Sequence, residues 1–327
     1  MSNAATLAPD VHDMRIAFVG ESLIDFTATG ANLAFQGHEG GAPTNSAIAA
    51  ARLGQPTGFI TQLSTDLFGE RLLAHLQRNG VDTRFVLRSP APSTLAFVER
   101  TPSTNRYAFY TQGTADTLWA PAELPELPPS CAWLHFGSIA LLHEPAASRI
   151  LDLVRAQRDK RLVLLDPNAR PSLIADPGEW RHRCQGWIGL CDVLKLSEED
   201  LALLAPAQHT AQVMQQLLAL GPQAVVLTRG EQGATLYREG SAPMTVRAPA
   251  VEVRDTIGAG DTFGAALSVA LLDAGVQTRA ALARLDDAAW TRVLLFAAAA
   301  AALNCTRPGA DPPTRAQVDQ LLAHAAA

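Results

Sequence analysis

Short runs of aliphatic and β-branched residues alternate with longer amphipathic stretches along most of the chain. Six runs have the length and composition of buried strands: 16–19, 58–63, 134–136, 162–166, 193–196 and 224–228. Four stretches have the length and periodicity of covering helices: 68–79, 146–158, 211–220 and 262–274. Asn79-Gly80 and Ala274-Gly275 mark two helix ends. This alternation predicts an α/β fold built on a mainly parallel sheet.

Two stretches interrupt the alternation. Residues 26–38 and 94–110 mix β-branched and aromatic residues with turn formers, and no helix follows them. We expect them to form a small β-sheet that projects from the main domain. Residues 234–237 and 244–247 flank Glu239-Gly240-Ser241 and predict a hairpin. No repeat or linker divides the sequence, so residues 1–327 are expected to form a single domain.

Composition narrows the class of partner. The 327 residues include 26 basic and 32 acidic side chains, and the net charge of −6 gives no general attraction to nucleic acid or an anionic membrane. The four cysteines are scattered and have no zinc-ligand spacing. Residues 1–10 lack the pattern of a secretory signal, and the apolar run 293–303 is too short to span a bilayer. We therefore expect a cytoplasmic protein without nucleic-acid or membrane partners.

Residues 255–264 carry the clearest chemical signal. They read DTIGAGDTFG and precede a helix-compatible run, so a loop of small residues opens a helix. Such a loop exposes backbone N–H groups at the positive end of the helix dipole, and it can bind a phosphoryl group although it contains no lysine. Asp261 falls in the first helical turn. On the residues alone it is either the base that takes a hydroxyl proton or a helix cap.

Other nucleotide-binding and hydrolytic motifs do not fit. The sequence has no Gly-x-x-x-x-Gly-Lys-Ser/Thr motif, and Gly258, Gly260 and Gly264 miss the dinucleotide spacing by one residue. It also has no Gly-x-Ser-x-Gly elbow. These absences disfavour a P-loop ATPase, a Rossmann dehydrogenase and a hydrolase.

Three segments together resemble the signatures of the ribokinase-like, or PfkB, carbohydrate kinases: residues 255–261 (DTIGAGD), 40–45 (GGAPTN) and 49–54 (AAARLG). The resemblance runs from about residue 15 to residue 322. It implies a doubly wound α/β domain that binds ATP and Mg²⁺. It also implies a β-sheet lid, formed here by residues 24–39 and 93–114, which closes over the sugar and can mediate a homodimer.

The resemblance also assigns roles at the reacting centre. Gly258, Ala259 and Gly260 would form the anion hole, and Asp261 would be the catalytic base.

Asp25, Gly41 and Asn45 would contact sugar hydroxyls. A carboxylate accepts from two hydroxyls, an asparagine both donates and accepts, and glycine admits the ring close to the backbone. Without the family context, a strand-end aspartate, a turn glycine and a helix cap describe these residues equally well.

The family's nucleotide-binding segments match a second group of residues. These implied contacts are Asn168, Ser197, Thr228, Arg229, Gly230, Gly233 and Asn304, together with Gly258 and Gly260. Arg229 could instead be a surface residue, and Asn304 could cap an alanine-rich helix.

Two acidic residues are implied to act on cations. The family commonly has Asn-x-x-Glu where this chain has Ser197-Glu198-Glu199-Asp200, so Asp200 is expected to act on Mg²⁺ through water. Asp255 is a family-based candidate for K⁺.

Three further segments bear on the sugar. Residues 166–171 (DPNARP) resemble both fructokinases and 2-keto-3-deoxygluconate kinases. Residues 135–141 (HFGSIAL), with Ser138 as a sugar contact, and 106–110 (RYAFY) followed by 113–116 (GTAD) resemble fructokinases, although Thr111 stands where arginine is common. We expect a fructokinase that forms fructose 6-phosphate.

Two alternatives stay open. In a keto-acid kinase, Arg106 and Arg170 would clamp the substrate carboxylate; otherwise they would bind sugar hydroxyls or phosphate. A non-catalytic sensor of sugar or nucleotide could also keep this fold.

Overall fold

The computed structural model describes residues 14–30, 33–100 and 105–325. The first 13 residues, and residues 31–32 and 101–104 of the predicted lid segments, lie outside this part. The strands are β1 Ile16–Val19, β2 Leu23–Ala28, β3 Phe35–Gly40, β4 Thr57–Ser64, β5 Val86–Ser89, β6 Thr94–Arg100, β7 Asn105–Tyr110, β8 Trp133–Gly137, β9 Leu162–Asp166, β10 Val193–Ser197, β11 Ala224–Thr228, β12 Ala234–Tyr237 and β13 Met244–Val246. The helices are α1 Ala42–Arg52, α2 Leu67–Arg78, α3 Ala146–Gln157, α4 Pro177–Ile188, α5 Glu198–Leu204, α6 Thr210–Ala219, α7 Ala259–Asp273, α8 Arg279–Ala283, α9 Asp287–Cys305 and α10 Arg315–Ala325.

In the described residues, a large sheet carries nine strands in the order β13-β12-β11-β10-β9-β8-β1-β4-β5. The strands from β11 to β5 pair in parallel, whereas β12 and β13 form an antiparallel hairpin at one edge. The predicted α/β class and mainly parallel sheet are confirmed.

Helices cover both faces of this sheet, and strand alternation decides which residue faces which layer. In β10, Leu194 and Leu196 pack with α3, α4 and α6, whereas Val193 packs with α1, α7 and α9. Strands buried on both sides read as continuous apolar runs, which is why β1, β9 and β11 have the predicted bounds.

Helix α9 is the one helix of the described residues that is long and apolar enough to cross a membrane by length and composition alone. More than half of its apolar window, 56%, is buried inside the molecule. It packs mainly on α7, and Trp290 and Leu294 lie in the core. The helix is longer than the apolar run seen in the sequence, and its burial explains its composition.

A second sheet of four strands, in the order β3-β2-β6-β7, arises from the two interrupting stretches. Three residues separate β1 from β2, and one residue, Gly41, separates β3 from α1. The sheet therefore stands over the carboxyl edge of the large sheet. Leu23, Asp25 and Thr27 of β2 face the cleft between the two sheets. Phe26 lies on the opposite face and stacks on Phe97.

Candidate active site

The glycine loop opens α7 as a helix N-terminus directed at the cleft. Gly258 is the N-cap residue, with a left-handed φ of 76°. A Cβ at this position would lie 2.6 Å from the Ala310 Cβ. Gly258 and Gly260 line the cleft, while the N–H of Ala259 donates to the Thr256 carbonyl at 3.2 Å. The helix therefore starts three residues earlier than the periodicity predicts, because a left-handed glycine caps it.

Asp261 is buried in the first turn of α7, and both its oxygens accept bonds from side-chain amides. Asn45 Nδ2 donates to Oδ2 at 2.8 Å, and Asn168 Nδ2 donates to Oδ1 at 3.0 Å. Burial raises the pKa of Asp261, although the Asn45 bond and the charge of Lys195 oppose the increase. The two amide bonds fix the carboxylate and favour its charged form, whereas burial favours the protonated form. Both oxygens are bonded to side-chain amides rather than to the first backbone N–H groups of α7, which a helix cap would require, and the role of base stays a prediction.

Lys195 is a site residue that the sequence interpretation missed. It lies in β10, is 3% exposed, and its Nζ donates to Asp166 Oδ2 at 2.8 Å. A Cβ on Gly260 would be 3.1 Å from the same Nζ. The loop lacks a lysine of its own, but the neighbouring strand supplies one. The signal was a lysine inside a run that otherwise reads as a fully buried strand.

Three residues predicted to lie near the sugar, Asp25 of β2, Gly41 and Arg170, line the cleft. Burial raises the pKa of Asp25 to about 6, with Arg170 lowering it and Asp261 raising it. Gly41 has a φ of 104°, and a Cβ there would lie 2.9 Å from the Glu21 carbonyl oxygen. Any side chain at this position would therefore collide with the backbone that joins β1 to β2, and the predicted sugar contact of Gly41 stays a prediction.

Ser138 also faces the cleft, but its hydroxyl is bonded to a second carboxyl group that sequence reasoning missed. Ser138 Oγ donates to Glu21 Oε1 at 2.7 Å, and the Ala140 N–H donates to Oε2 at 3.2 Å. Burial raises the pKa of Glu21 to about 7. A glutamate between two apolar runs, in AFVGESLI, was the available signal.

The predicted nucleotide contacts divide into two groups. Ser197, Thr228 and Gly230 line the cleft, as do Glu198 and Glu199.

Asn304, in contrast, is completely buried. Its Nδ2 donates to the Ile257 carbonyl at 2.7 Å, and its Oδ1 accepts from Thr262 Oγ1 at 3.3 Å. Asn304 therefore supports the glycine loop from behind, and its predicted contact with the nucleotide stays a prediction.

Arg229 stands between Thr228 and Gly230 of the cleft lining, and its Nε lies 3.7 Å from Oε1 of Glu198, which also lines the cleft. A Cβ on Gly233 would lie 2.0 Å from the Val246 carbonyl oxygen, so the absence of a side chain here lets the β12–β13 hairpin pack closely. Arg229 donates to Thr235 Oγ1 and the Tyr237 hydroxyl, both at 3.4 Å. Gly233 therefore has a packing role at the hairpin, and the predicted nucleotide roles of both residues stay predictions.

Asp200 and Asp255 both bond the backbone. Asp200 is 2% exposed; its oxygens accept from the Ala169 N–H at 2.7 Å and from the N–H and hydroxyl of Ser197 at 2.8 and 2.6 Å. These bonds form a capping box at the start of α5. Asp255 accepts from the Ile257 and Gly309 N–H groups at 3.2 and 3.0 Å. The described residues hold no group of three His, Cys, Asp or Glu arranged for a metal ion.

The two candidate arginines differ in what the structure describes. Arg170 lines the cleft, and its Nη1 donates to the carbonyls of Asn168 and Ala169 at 3.3 and 3.1 Å. The backbone of Arg106 pairs with Glu99 in the small sheet, but its side chain lies outside the described part of the chain.

The glycine loop, Asp261, Asp25 and Arg170 surround a cleft of about 1020 Å³. The cleft lies at the carboxyl edge of the large parallel sheet and beneath the small sheet. A helix N-terminus for an anion and a buried carboxylate for a proton meet there. The fold and the site define an α/β phosphotransferase of the ribokinase-like class.

Comparison with known proteins identifies the family. Residues 13–317 match the pfkB family carbohydrate kinase, and the chain belongs to this family. It is 37% identical over 273 residues to a fructokinase of Rhizobium leguminosarum bv. trifolii, with 83% of each chain covered.

Two solved structures are similar over nearly all of the chain. A Xylella fastidiosa fructokinase with bound ATP superposes with a TM-score of 0.88 at 30% identity, covering 96% of this chain and all of its own. A double mutant of Vibrio cholerae O395 fructokinase, with fructose, ADP and potassium bound, gives a TM-score of 0.82 at 26% identity and covers 96% of this chain and all of its own.

Proposed function

We propose that this carbohydrate kinase is an ATP-dependent fructokinase that forms fructose 6-phosphate. The observation that carries the proposal is the position of Asp261, between the glycine loop and the amide of Asn45, where a phosphoryl acceptor and donor can meet. The substrate named for its relatives from Rhizobium and Vibrio, and the ATP bound to the Xylella enzyme, support the choice of sugar and nucleotide.

The chain's own residues account for the proton and charge movements. The sugar hydroxyl oxygen bonds to the γ-phosphorus of ATP, the bond to the ADP oxygen breaks, and Asp261 takes the hydroxyl proton. The N-terminus of α7 stabilises the charge on the transferring group. Asp25 accepts hydrogen bonds from sugar hydroxyls and fixes the ring. The lid sheet, segments 24–39 and 93–114 of the single domain, covers the reaction and excludes water.

Two cations complete the proposal. Mg²⁺ bound to the ATP phosphates would neutralise charge that develops during transfer. Ser197 and Asp200 line the cleft and would hold this ion through its water shell. K⁺ is proposed near Asp255, whose carboxylate ties the segment before the glycine loop to Gly309. Hard oxygen donors suit both ions.

A homodimer in the cytoplasm is also proposed. The face of the small sheet away from the cleft carries Phe26, Phe35, Phe97 and Tyr110 in ring contact. Tyr110 is 62% exposed, and such an aromatic face is typical of a protein interface. Sedimentation velocity measures the mass directly.

The first test is an ADP-release assay with MgATP and, separately, fructose, 2-keto-3-deoxygluconate, ribose and glucose. Clear preference for fructose is expected. Preference for the keto acid would give Arg170 the role of carboxylate clamp and overturn the substrate. Binding without turnover on any sugar would favour a sensor.

The second test replaces the proposed base. Asp261→Asn should lower kcat by about 10²- to 10⁴-fold, because a positioned general base contributes that factor. Calorimetric affinity for fructose and ATP should change little. Asp273→Asn is the matched control, since it makes the same change in the last turn of α7. Near-normal kcat in Asp261→Asn would show that another group takes the proton.

A further inference from the structure

A buried ion pair lies directly beneath the first turn of α7. The Lys195 and Asp166 side chains are 3% and 8% exposed, and 2.8 Å separates Lys195 Nζ from Asp166 Oδ2. Removing two charges from water is costly, and apolar pairs of similar volume often stabilise a protein as well or better. A contribution to protein stability is therefore a weak explanation for the presence of this buried ion pair.

Strand register places the pair on the side of the sheet that faces α7. Leu194 and Leu165 are neighbours in β10 and β9 and point to the opposite layer, so Lys195 and Asp166, one residue further along, point toward α7. A Cβ on Gly260 would meet Lys195 Nζ at 3.1 Å, and a Cβ on Gly264 would lie 3.8 Å from Asp166 Oδ2. The ammonium thus lies under the anion loop and the carboxylate one turn further along.

Several charged and titratable groups surround Asp261. Lys195 and Arg170 favour its ionised form. Asp25 on β2 and Asp166 on β9 face it with negative charge. Lys195 is also close to Asp200 of α5, and it opposes protonation of His135 on β8. Within this group, Lys195 is the cation fixed by a buried partner beneath the loop.

We propose that Lys195 is a positioning residue of phosphoryl transfer: Asp166 holds its ammonium beneath Gly260, where the charge keeps Asp261 ionised and ready to take the hydroxyl proton. This inference rests on the proposed function of Asp261 as the base. It gives the lysine no contact with substrate. Asp166 and Lys195 therefore act through Asp261, and their effect is carried by charge at fixed positions.

The test compares the pH dependence of kcat at saturating fructose and MgATP. Under saturation kcat reports groups of the substrate complex, so the sugar-binding step of Asp25 does not enter. The acid limb is the part of the kcat–pH profile in which kcat falls as pH decreases. Lys195→Met should move this limb to higher pH by about one unit or more, because a nearby opposite charge lowers the pKa of a carboxyl group by that amount. Asp166→Asn leaves the lysine charge without its counter-charge and should move the limb downward.

Two controls separate charge from folding. The double variant Lys195→Met/Asp166→Asn leaves no unpaired buried charge, so it should fold even if a single variant does not, and its limb should also lie above that of the wild type. Lys160→Met removes the same charge at the surface and should leave the limb unchanged. Circular dichroism checks the fold of each variant.

The possible outcomes distinguish the two proposals. Limbs that move in opposite directions in the single variants, with an upward shift in the double variant, support the role of Lys195. Loss of kcat with unmoved limbs, or shifts of the same sign in both single variants, would overturn it while leaving the kinase activity established. A wild-type protein that phosphorylates no sugar would overturn the proposed function, and this inference with it.

Discussion

Replacement of Asp25 by asparagine tests the sugar-binding role of the small sheet. The carboxylate faces the cleft from β2, and burial raises its pKa to about 6. Charge-assisted hydrogen bonds contribute about 1.5–3 kcal/mol each, so loss of one should raise the KM for fructose by about 10- to 150-fold. The kcat of Asp25→Asn should change much less, because Asp261 remains in place.

The pH dependence of KM sharpens this test. Sugar binding favours the ionised carboxylate, so the KM for fructose should rise as pH falls through about 6. Between pH 7 and pH 5 the ionised fraction falls about tenfold for a pKa of about 6, and KM should rise by the same factor. The rise should be absent in Asp25→Asn and present in the surface control Asp319→Asn. A KM that rises equally in wild type and Asp25→Asn would refute the assignment.

Two further predictions concern the loop and the buried glutamate. Gly258→Ala should lose about 1–2 kcal/mol of stability because its left-handed backbone is strained by a side chain, and it should lose most activity because the new Cβ clashes with Ala310. Gly275→Ala is the control, since Gly275 has a φ of 80° in open space and should lose the stability alone. Thermal melts measure the stability and ADP release the activity, and equal activity in the two variants would contradict the loop's role. For Glu21, the pKa raised from 4.5 to about 7 means that the folded state holds more protons than the unfolded state between these values, so stability falls as pH rises through that window. Glu21→Gln should remove this loss of stability. In urea titrations, the free energy of unfolding of Glu21→Gln minus that of the wild type should increase by up to about 3 kcal/mol from pH 4.5 to pH 8. If this difference in unfolding free energy were independent of pH, Glu21 would not be buried as described.

The pattern of apolar residues predicted the large sheet well, because strands covered on both faces are continuous apolar runs. It could not predict which polar side chains would meet. Asn45 and Asp261 are bonded although 216 positions separate them, and Lys195 and Asp166 are 29 positions apart. The family signature predicted Asp261 as the base because the loop that carries it is local in sequence, and the structure places its side chain in the cleft. Another family segment predicted a nucleotide contact for Asn304, but the direction of a side chain in the last turn of a buried helix depends on packing, which no local pattern shows.

The burial of Lys195 also determines where amine-reactive reagents can attach. The sequence contains two lysines, Lys160 and Lys195, and Asp166 and the glycine loop enclose the second. Lys160 is exposed just before β9, at the amino edge of the sheet, whereas the cleft lies at the carboxyl edge. A dye or surface tether that couples to lysine would therefore join this protein at one side-chain position, on the side away from the cleft, and leave the cleft open to solution.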